Sequence, residues 1–240
     1  MQERPTNGNV ALLIDADNAS AKHIDPVLAV LADLGTVNIR RMYGNWSKAA
    51  LKPWIDKALR YALEPQQQFD LTPHKNAADM KMTIDAMDLL WGGRVAGFGI
   101  MSSDSDFTPL VTRIRQNGFP VYGFGASKTP DGFRHACNRF IDVETFERVT
   151  ETSVPEVKAN TPTRASVSED VIRLLIDAYE ASRQDAEGYA SLSEIGARAG
   201  NRSSFDSRNY GFSRLVDLFA EVPGFEVDRR DGHPYVRHRG

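Results

Sequence analysis

The sequence predicts an α/β domain, in which helices cover both faces of a parallel sheet, followed by a small C-terminal winged-helix domain. Short apolar, β-branched runs alternate with amphipathic stretches up to about residue 146, as is typical of βαβ units. A polar segment with two prolines then precedes three helical patterns and two strand-like runs. The predicted domains are 1–149 and 167–240, joined by a linker at 150–166.

The apolar runs give the strands of the parallel sheet, because strands covered on both faces are apolar along their length. The predicted strands are 10–14, 37–43, 68–71, 95–101, 121–124 and 140–143. Helical periodicity predicts helices at 21–34, 49–63, 77–91, 107–117 and 130–138. Since parallel crossovers are nearly always right-handed, this order predicts a doubly wound, Rossmann-like αβα sandwich.

In the third predicted helix, apolar residues recur at i, i+4, i+7 and i+11, which predicts that they form its buried face. These residues are Met80, Ile84, Met87 and Trp91. Lys81, Asp85 and Asp88 share another face. We expect that face to be solvated, with Lys81 and Asp85 as an ordinary i,i+4 pair.

The C-terminal segment shows helical patterns at 169–182, 192–199 and 210–222, then strand-like runs at 225–227 and 235–237. Asp231 and Gly232 lie between those runs and predict a hairpin turn. Three helices and a β-hairpin are the outline of a winged helix.

The composition is that of an ordinary globular protein, with 41% hydrophobic and 25% charged residues and a net charge of −3. It excludes collagen, coiled-coil and low-complexity classes. No apolar run approaches the roughly 20 residues that a bilayer requires, so we expect no membrane segment. The single cysteine, Cys137, cannot form an internal disulfide, and a cytoplasmic location is therefore the default expectation.

Carboxylates follow two of the predicted strands at the point where each strand ends. The first strand leads into Asp15 and Asp17, and the fourth leads into Asp104 and Asp106. Ligands of open α/β sheets bind at the carboxyl ends of the strands. Asp79 falls in the first turn of the third helix, where the helix dipole alone could account for a carboxylate.

A single Asp at such a junction is usually an N-cap, but Asp-x-Asp at two strand ends favours a functional role over capping alone. Strands one and four are expected near the sheet centre, so these carboxylates should converge with Asp79. Like charges that close are costly unless they are protonated or bridged by cations. Bridging by Mg²⁺ or Mn²⁺, which prefer oxygen ligands, is the simplest explanation for such a cluster. It suggests metal-dependent cleavage of a phosphate ester.

These residues resemble NYN domains, the LabA-like branch of the PIN-like ribonuclease superfamily. The resemblance rests on the segment 13–18, on Lys75 to Asp79 with the following helix and Asp85, and on 103–107. It covers residues from about 8 to 146. It implies a Mg²⁺- or Mn²⁺-dependent RNA-cleaving enzyme on a Rossmann-like fold.

The resemblance also implies roles for individual residues. The acidic metal site would be formed by Asp15, Asp79, Asp104 and Asp106, which would also be the catalytic residues. A secondary set around it would comprise Asp17, Asn18, Lys75, Asp85, Ser103 and Asn138, with Asn18 orienting water or phosphate. The family often has Asp where Asn138 stands, so a fourth carboxylate corner is weakened here to a neutral ligand.

Two basic regions are candidates for RNA contact. The glycine-containing loop 123–129 carries Lys128, although its spacing is not that of a Walker motif, and it is equally well an ordinary loop. In the C-terminal domain, Arg229, Arg230 and Arg237 lie on the predicted hairpin. Residues 166–240 carry ten Arg and no Lys against thirteen Asp and Glu, which argues against strong nonspecific DNA binding.

The C-terminal segment resembles an OST-HTH/LOTUS domain, on the residues 192–196, 210–218 and the closing hairpin. LOTUS domains are RNA-binding or protein-docking modules. The resemblances together imply a metal-dependent endoribonuclease with RNA as partner, while a homodimer and a protein partner of the C-terminal domain stay open.

Three further functions remain as alternatives. The first is an RNA-binding or regulatory protein that turns over little RNA. The second is a haloacid-dehalogenase-like phosphatase with Asp15 as nucleophile, disfavoured because a helix follows the first strand without a flap insertion. The third is a DNA-binding regulator, disfavoured by the acidic balance of the C-terminal domain.

Overall fold

The computed structural model describes residues 8–69, 77–150, 167–230 and 232–239. The chain forms two compact units that divide between Phe146 and Glu147. The predicted linker at 150–166 lies almost entirely outside the described residues. Within the described part of the chain, no helix combines the length and apolar character needed to cross a bilayer.

The first unit is built on a six-stranded parallel sheet with the strand order β3-β2-β1-β4-β5-β6. The strands are β1 (Asn9–Asp15), β2 (Thr36–Gly44), β3 (Glu64–Gln67), β4 (Gly97–Met101), β5 (Val121–Gly125) and β6 (Arg139–Asp142). Strand β1 lies between β2 and β4, with Asp15 opposite Tyr43 and Ile14 opposite Met101. The predicted doubly wound parallel sheet is confirmed.

Helices cover both faces of this sheet. They are α1 (Ile24–Ala32), α2 (Pro53–Tyr61), α3 (Ala77–Trp91), α4 (Thr108–Gln116), α5 (Asp131–Ala136) and α6 (Thr145–Thr150). One apolar core joins the sheet to α3, α4 and α5, and a second joins it to α1, α2 and Phe146 of α6. Leu13 faces the first core and Leu12 the second, so β1 is buried on both sides.

Several predicted boundaries are wrong, and the reasons are local. The third strand is Glu64–Gln67 rather than 68–71, because α2 ends early at Ala62, whose left-handed φ of 50° turns the chain. The first two predicted helices each begin with a separate 3₁₀ turn, at Ala21–His23 and Ala49–Leu51. Helix α6 was not predicted.

The prediction for the faces of α3 is also wrong. Met80, Ile84 and Trp91 are exposed, whereas Asp85, expected in solvent, is buried. The helix instead packs on the sheet through Ala78, Met82, Ala86, Leu89 and Leu90. Apolar residues occur on both sides of α3, so periodicity alone could not decide which side faces the sheet.

Residues 167–230 and 232–239 of the second unit form three α-helices and a three-stranded antiparallel sheet of order β7-β9-β8. Its elements are α7 (Glu169–Glu180), β7 (Ala190–Ser191), α8 (Leu192–Arg202), α9 (Leu215–Glu221), β8 (Phe225–Arg230) and β9 (His233–His238). Its core includes Leu175, Ile195 and Phe219. The predicted helix 210–222 begins only at Leu215, because Gly211 has a φ of 83° and ends a preceding 3₁₀ turn.

Candidate active site

Asp15 lies at the carboxyl end of β1, in the centre of the sheet, and is 1% exposed. Ser102 donates a hydrogen bond from Oγ to Asp15 Oδ2 at 2.6 Å, and Asn18 donates to the same oxygen from Nδ2 at 3.0 Å. The Asn18 backbone N–H donates to Asp15 Oδ1 at 3.3 Å. Burial raises the pKa of Asp15 despite these hydrogen bonds, which favour the charged form.

Asp104 follows β4, the strand beside β1. Its backbone N–H donates to Ser102 Oγ at 3.0 Å, so the Ser102 hydroxyl links the Asp104 backbone to Asp15. Asp104 Oδ1 accepts a 2.8 Å hydrogen bond from the backbone N–H of Asp106 and caps the 3₁₀ turn Ser105–Phe107. The capping role therefore holds for Asp104, while Asp106 is exposed beside it.

Asp79 lies in the first turn of α3, and its pKa is raised from 3.8 to about 6. Burial is the largest cause, followed by the charges of Asp15 and Asp104 and then those of Asp17 and Asp106. The same four carboxylates that the sequence singled out at the strand ends thus act on Asp79 electrostatically. An accumulation of negative charge at this edge of the sheet is a property of the fold.

The donor set suits a hard divalent cation, because it consists of carboxylate oxygens. No group of three His, Cys, Asp or Glu side chains in the described residues is close enough to form a ready cage. Mg²⁺ nevertheless keeps several waters and is usually held by only one or two carboxylates together with substrate phosphates. The residues therefore fit an open site of that kind rather than an all-protein cage.

Three further predicted residues have different surroundings. Asp17 is paired with Lys48, whose Nζ is 3.4 Å from Oδ1. Ser103 Oγ accepts a 2.9 Å hydrogen bond from the backbone N–H of Ala126 and so joins the loops after β4 and β5. Lys75 lies outside the described residues.

Asp85 belongs to a separate buried cluster between α3 and β2. Lys81 Nζ lies 2.9 Å from Oδ1, and Tyr43 donates its hydroxyl to Oδ2 at 3.1 Å. Arg41 Nη1 is 3.5 Å from the same Oδ2. The predicted Lys81–Asp85 pair is confirmed, but the carboxylate is 6% exposed and engaged on both oxygens.

Asn138 lies at the opposite edge of the sheet from the carboxylates. Its Oδ1 accepts a 2.8 Å hydrogen bond from the backbone N–H of Val121, the first residue of β5, and its own N–H donates to the Val121 carbonyl. Asn138 therefore pins the amino end of β5, and the expectation of a weakened metal corner there is wrong.

A cavity of about 570 Å³ lies beside Asp104, on the β5 and β6 side of the site. Asn18 and Asp104 line it on one side, and Lys22 and Lys128 add two cationic side chains. The loop that carries Lys128 thus reaches the site, as the sequence allowed. Sequence reasoning missed Lys22 and Ser102 as members of the site, although Ser102 directly follows the apolar fourth run.

In the second unit, the hairpin arginines are engaged in ion pairs. Arg230 contacts Asp185 Oδ2 at 2.5 Å and Asp228 Oδ2 at 3.0 Å, and it also pairs with Glu187. Arg237 Nη2 is 2.6 Å from Glu226 Oε2. Both guanidinium groups also lie over the Tyr189 ring, with Cζ 4.0 and 4.8 Å from its centroid.

Most other arginines of this unit are likewise paired with carboxylates. The pairs are Arg198–Glu194, Arg202–Asp177, Arg208–Asp206, Arg214–Asp217 and Arg239–Glu226. Arg229 is exposed on the hairpin. The positive charge of the predicted RNA-binding wing is therefore largely balanced within the unit itself.

Comparison with known families resolves the identity of both units. The NYN domain family matches residues 9–144, which is more than half of the chain and contains every carboxylate at the edge of the sheet. The chain belongs to the NYN domain family. An OST-HTH/LOTUS domain match at residues 165–237 follows, in the predicted order.

Two individual proteins are similar to part of the chain. The uncharacterized protein MJ0482 of Methanocaldococcus jannaschii is 26% identical over 145 residues, which cover 59% of this chain and 56% of that protein. The match thus spans little more than half the length of this curated relative. A Vibrio parahaemolyticus protein of unknown function, VPA0982, aligns with a TM-score of 0.47 at 17% identity, over 59% of this chain and 96% of that one.

The two family assignments support a ribonuclease or RNA-binding role, since NYN domains belong to the PIN-like nuclease superfamily and OST-HTH/LOTUS domains are associated with RNA binding. The family match places Asp15 within an NYN domain and gives no support to the phosphatase alternative. The first 3₁₀ turn begins at Ala21, close behind β1.

Proposed function

We propose that the NYN unit is a Mg²⁺- or Mn²⁺-dependent endoribonuclease that hydrolyses RNA phosphodiesters at the carboxyl edge of its sheet. The observation that carries this proposal is that the neighbouring strands β1 and β4 end in Asp15 and Asp104, which the Ser102 hydroxyl links. The charges of both carboxylates raise the pKa of Asp79, in the first turn of α3. Carboxylates gathered in this way, with a pKa shifted by burial and by neighbouring charges, are typical of functional sites.

Asp15, Asp79 and Asp104 would hold the cation, and Asp106 and Asp17 would add negative potential around it. A divalent ion supplies charge neutralisation for the scissile phosphate and acidifies water that attacks it. Because Asp79 has a pKa near 6 in the ion-free protein, protons compete with the cation below that pH.

Ser102 and Asn18 are positioning residues in this proposal. Both donate to Asp15 Oδ2, so they fix the orientation of the carboxylate, and Asp15 Oδ1 accepts the longer 3.3 Å bond from the Asn18 backbone N–H. The Ser102 hydroxyl also receives the Asp104 backbone N–H, which sets the separation of the two strand ends. A fixed ligand geometry is a requirement for catalysis by a bound ion.

The cavity beside the carboxylates is the proposed path of the RNA strand. Its volume of about 570 Å³ is in the range of small-ligand pockets, and Lys22 and Lys128 can neutralise phosphates that flank the scissile one. Replacing either lysine with Ala should raise KM for RNA more than it lowers kcat, because these contacts exist before and during the reaction.

The OST-HTH/LOTUS unit would deliver RNA or dock a protein partner. Its arginines are mostly paired internally, so a large electrostatic contribution to RNA affinity is not expected from it. Arg229 is the hairpin residue that we propose for phosphate contact, because its side chain is exposed.

One observation favours a second candidate, an RNA-binding protein with little turnover. Asp104 uses Oδ1 as a helix cap, and the described residues contain no ready three-carboxylate cage. The two candidates differ in whether the protein cleaves RNA once a cation and RNA are both bound.

The test is cleavage of labelled single-stranded and hairpin RNAs in Mg²⁺, Mn²⁺ or EDTA. Wild type should cleave only with metal, and Asp15→Asn should abolish the products. Asp56→Asn, an exposed position on α2, is the matched control and should cleave normally. RNA binding without metal-dependent products would replace the nuclease with the binding protein.

A further inference from the structure

An apolar ridge runs along the outer face of α3. Met80 is 63%, Ile84 51% and Trp91 65% exposed, and half-buried Met87 lies between them. The opposite face of the same helix already packs on the sheet. A helix that is apolar on both faces is ordinarily covered on both, and the described residues of this unit cover α3 on the sheet side only.

The ridge is self-complementary about its own midpoint, which lies between Asp85 and Ala86. In an antiparallel pair of such helices, Met80 stands opposite Trp91 of the second copy, and Ile84 stands opposite Met87. Each contact then occurs twice, as a twofold interface requires. Methionine sulfur against an aromatic ring is a favourable apolar contact.

The charges beside the ridge have the same symmetry. At about 100° per residue, Lys81 and Asp88 fall on the same flank of α3, near opposite ends of the ridge. A twofold axis that makes the helices antiparallel brings Lys81 close to Asp88 of the second copy, and the reverse. Lys81 keeps its bond to Asp85, because an ammonium group has three donors.

The same features argue against nucleic acid on this face. The ridge residues carry no positive charge, and Asp88 borders the ridge. A phosphate backbone would meet apolar side chains, the Asp88 carboxylate and Lys81, whose ammonium group is already paired with Asp85. A second copy of the chain presents both an apolar ridge and the opposite charge at the required place.

We infer that the chain forms a homodimer in which α3 packs antiparallel against α3 of a second copy. The inference concerns assembly and does not rest on the ribonuclease activity. One helix face is smaller than the standard interface of about 800 Å² per partner, so the dimer should be weak, with a dissociation constant in the micromolar range.

Sedimentation equilibrium of the full chain over about 1–200 µM tests this inference. Wild type should show a monomer–dimer equilibrium, and Ile84→Glu should raise the dissociation constant at least about tenfold, because it places two carboxylates in the centre of the interface. Leu59→Glu is the matched control: Leu59 is 82% exposed on α2, on the other face of the sheet, and its change should leave the equilibrium as it is.

A second measurement identifies the pairing directly. Mixed Ile84→Cys and Met87→Cys chains should form a disulfide-linked heterodimer under mild oxidation, whereas Leu59→Cys chains should not; the native Cys137 is buried. A chain that is monomeric throughout, or a dimer that Ile84→Glu leaves intact, overturns the inference. So does a monomeric chain in which Ile84→Glu instead weakens RNA binding, since the ridge would then serve RNA.

Discussion

Removing the charge of Asp79 should make the ion-free protein more stable. Its pKa is raised from 3.8 to about 6, mainly by burial and by the charges of Asp15 and Asp104. If fully expressed, this difference corresponds to about 3 kcal/mol at neutral pH. Asp79 is only half-buried, so solvent screening reduces the gain, and the lost interaction with the α3 N-terminus reduces it further, to about 1 kcal/mol.

The sign of the pH dependence follows from the direction of the shift. A carboxyl whose folded-state pKa is raised binds more protons in the folded chain between about pH 4 and 6, so wild-type stability falls as pH rises through that window. The advantage of Asp79→Asn should therefore be present at pH 7, should be small at pH 4 and should vanish below about pH 3, where wild type is protonated in both states.

Thermal unfolding in EDTA is the assay. At pH 7 the melting temperature of Asp79→Asn should exceed that of wild type by about 3 °C, and Asp56→Asn should not differ from wild type. Adding Mg²⁺ should raise the wild-type melting temperature more than that of the variant, because binding to the folded state alone stabilises it. A lower melting temperature for Asp79→Asn in EDTA at pH 7, or an equal gain at pH 4, would refute this reasoning.

Three other substitutions have definite expected outcomes. Asp85→Asn should destabilise the fold by about 2 kcal/mol in denaturant titration, opposite in sign to Asp79→Asn, because Lys81 and Arg41 lose their buried counter-charge; an unchanged midpoint would contradict this. Ser102→Ala should lower kcat for RNA cleavage with little change in KM, since it loosens a ligand rather than the substrate, and Ser102→Thr should recover part of the rate. Arg230→Ala should lower the melting temperature of the second unit. It should leave the salt dependence of RNA affinity unchanged, because the charge of Arg230 is already paired within the unit. A shallower slope of log affinity against log salt in the variant would instead indicate that Arg230 contacts an RNA phosphate.

The sheet and its acidic edge were predictable from the sequence because both depend on local patterns. A strand buried on both faces must be apolar, so the run that became β1 is distinct from its surroundings. Topology then carries Asp15 and Asp104 to the same edge without any knowledge of side-chain contacts. The predicted positions of these two residues followed from the fold class alone.

The features that sequence missed depend on which neighbour a residue meets. Asn138 and Asp104 are both polar residues beside strands, yet Asn138 bonds the first residue of β5 and so lies at the wrong edge for the site. The buried face of α3 was mispredicted because both sides of the helix are apolar. The side that packs on the sheet carries the small residues Ala78 and Ala86, which allow the helix to lie close to the strands. Packing, rather than periodicity, determines which face of a helix is buried.

The central claim is the proposal that the carboxylates at this edge would hold a divalent cation and that this site hydrolyses RNA. The most direct test is the metal specificity of Asp79→Cys in single-turnover RNA cleavage, because a thiolate favours softer ions over Mg²⁺. If Asp79 is a ligand, the variant should lose cleavage in Mg²⁺ and regain it in Mn²⁺ or Cd²⁺, while Asp79→Ala should regain none. Equal cleavage by wild type and Asp79→Ala in Mg²⁺, or in EDTA, would contradict the account.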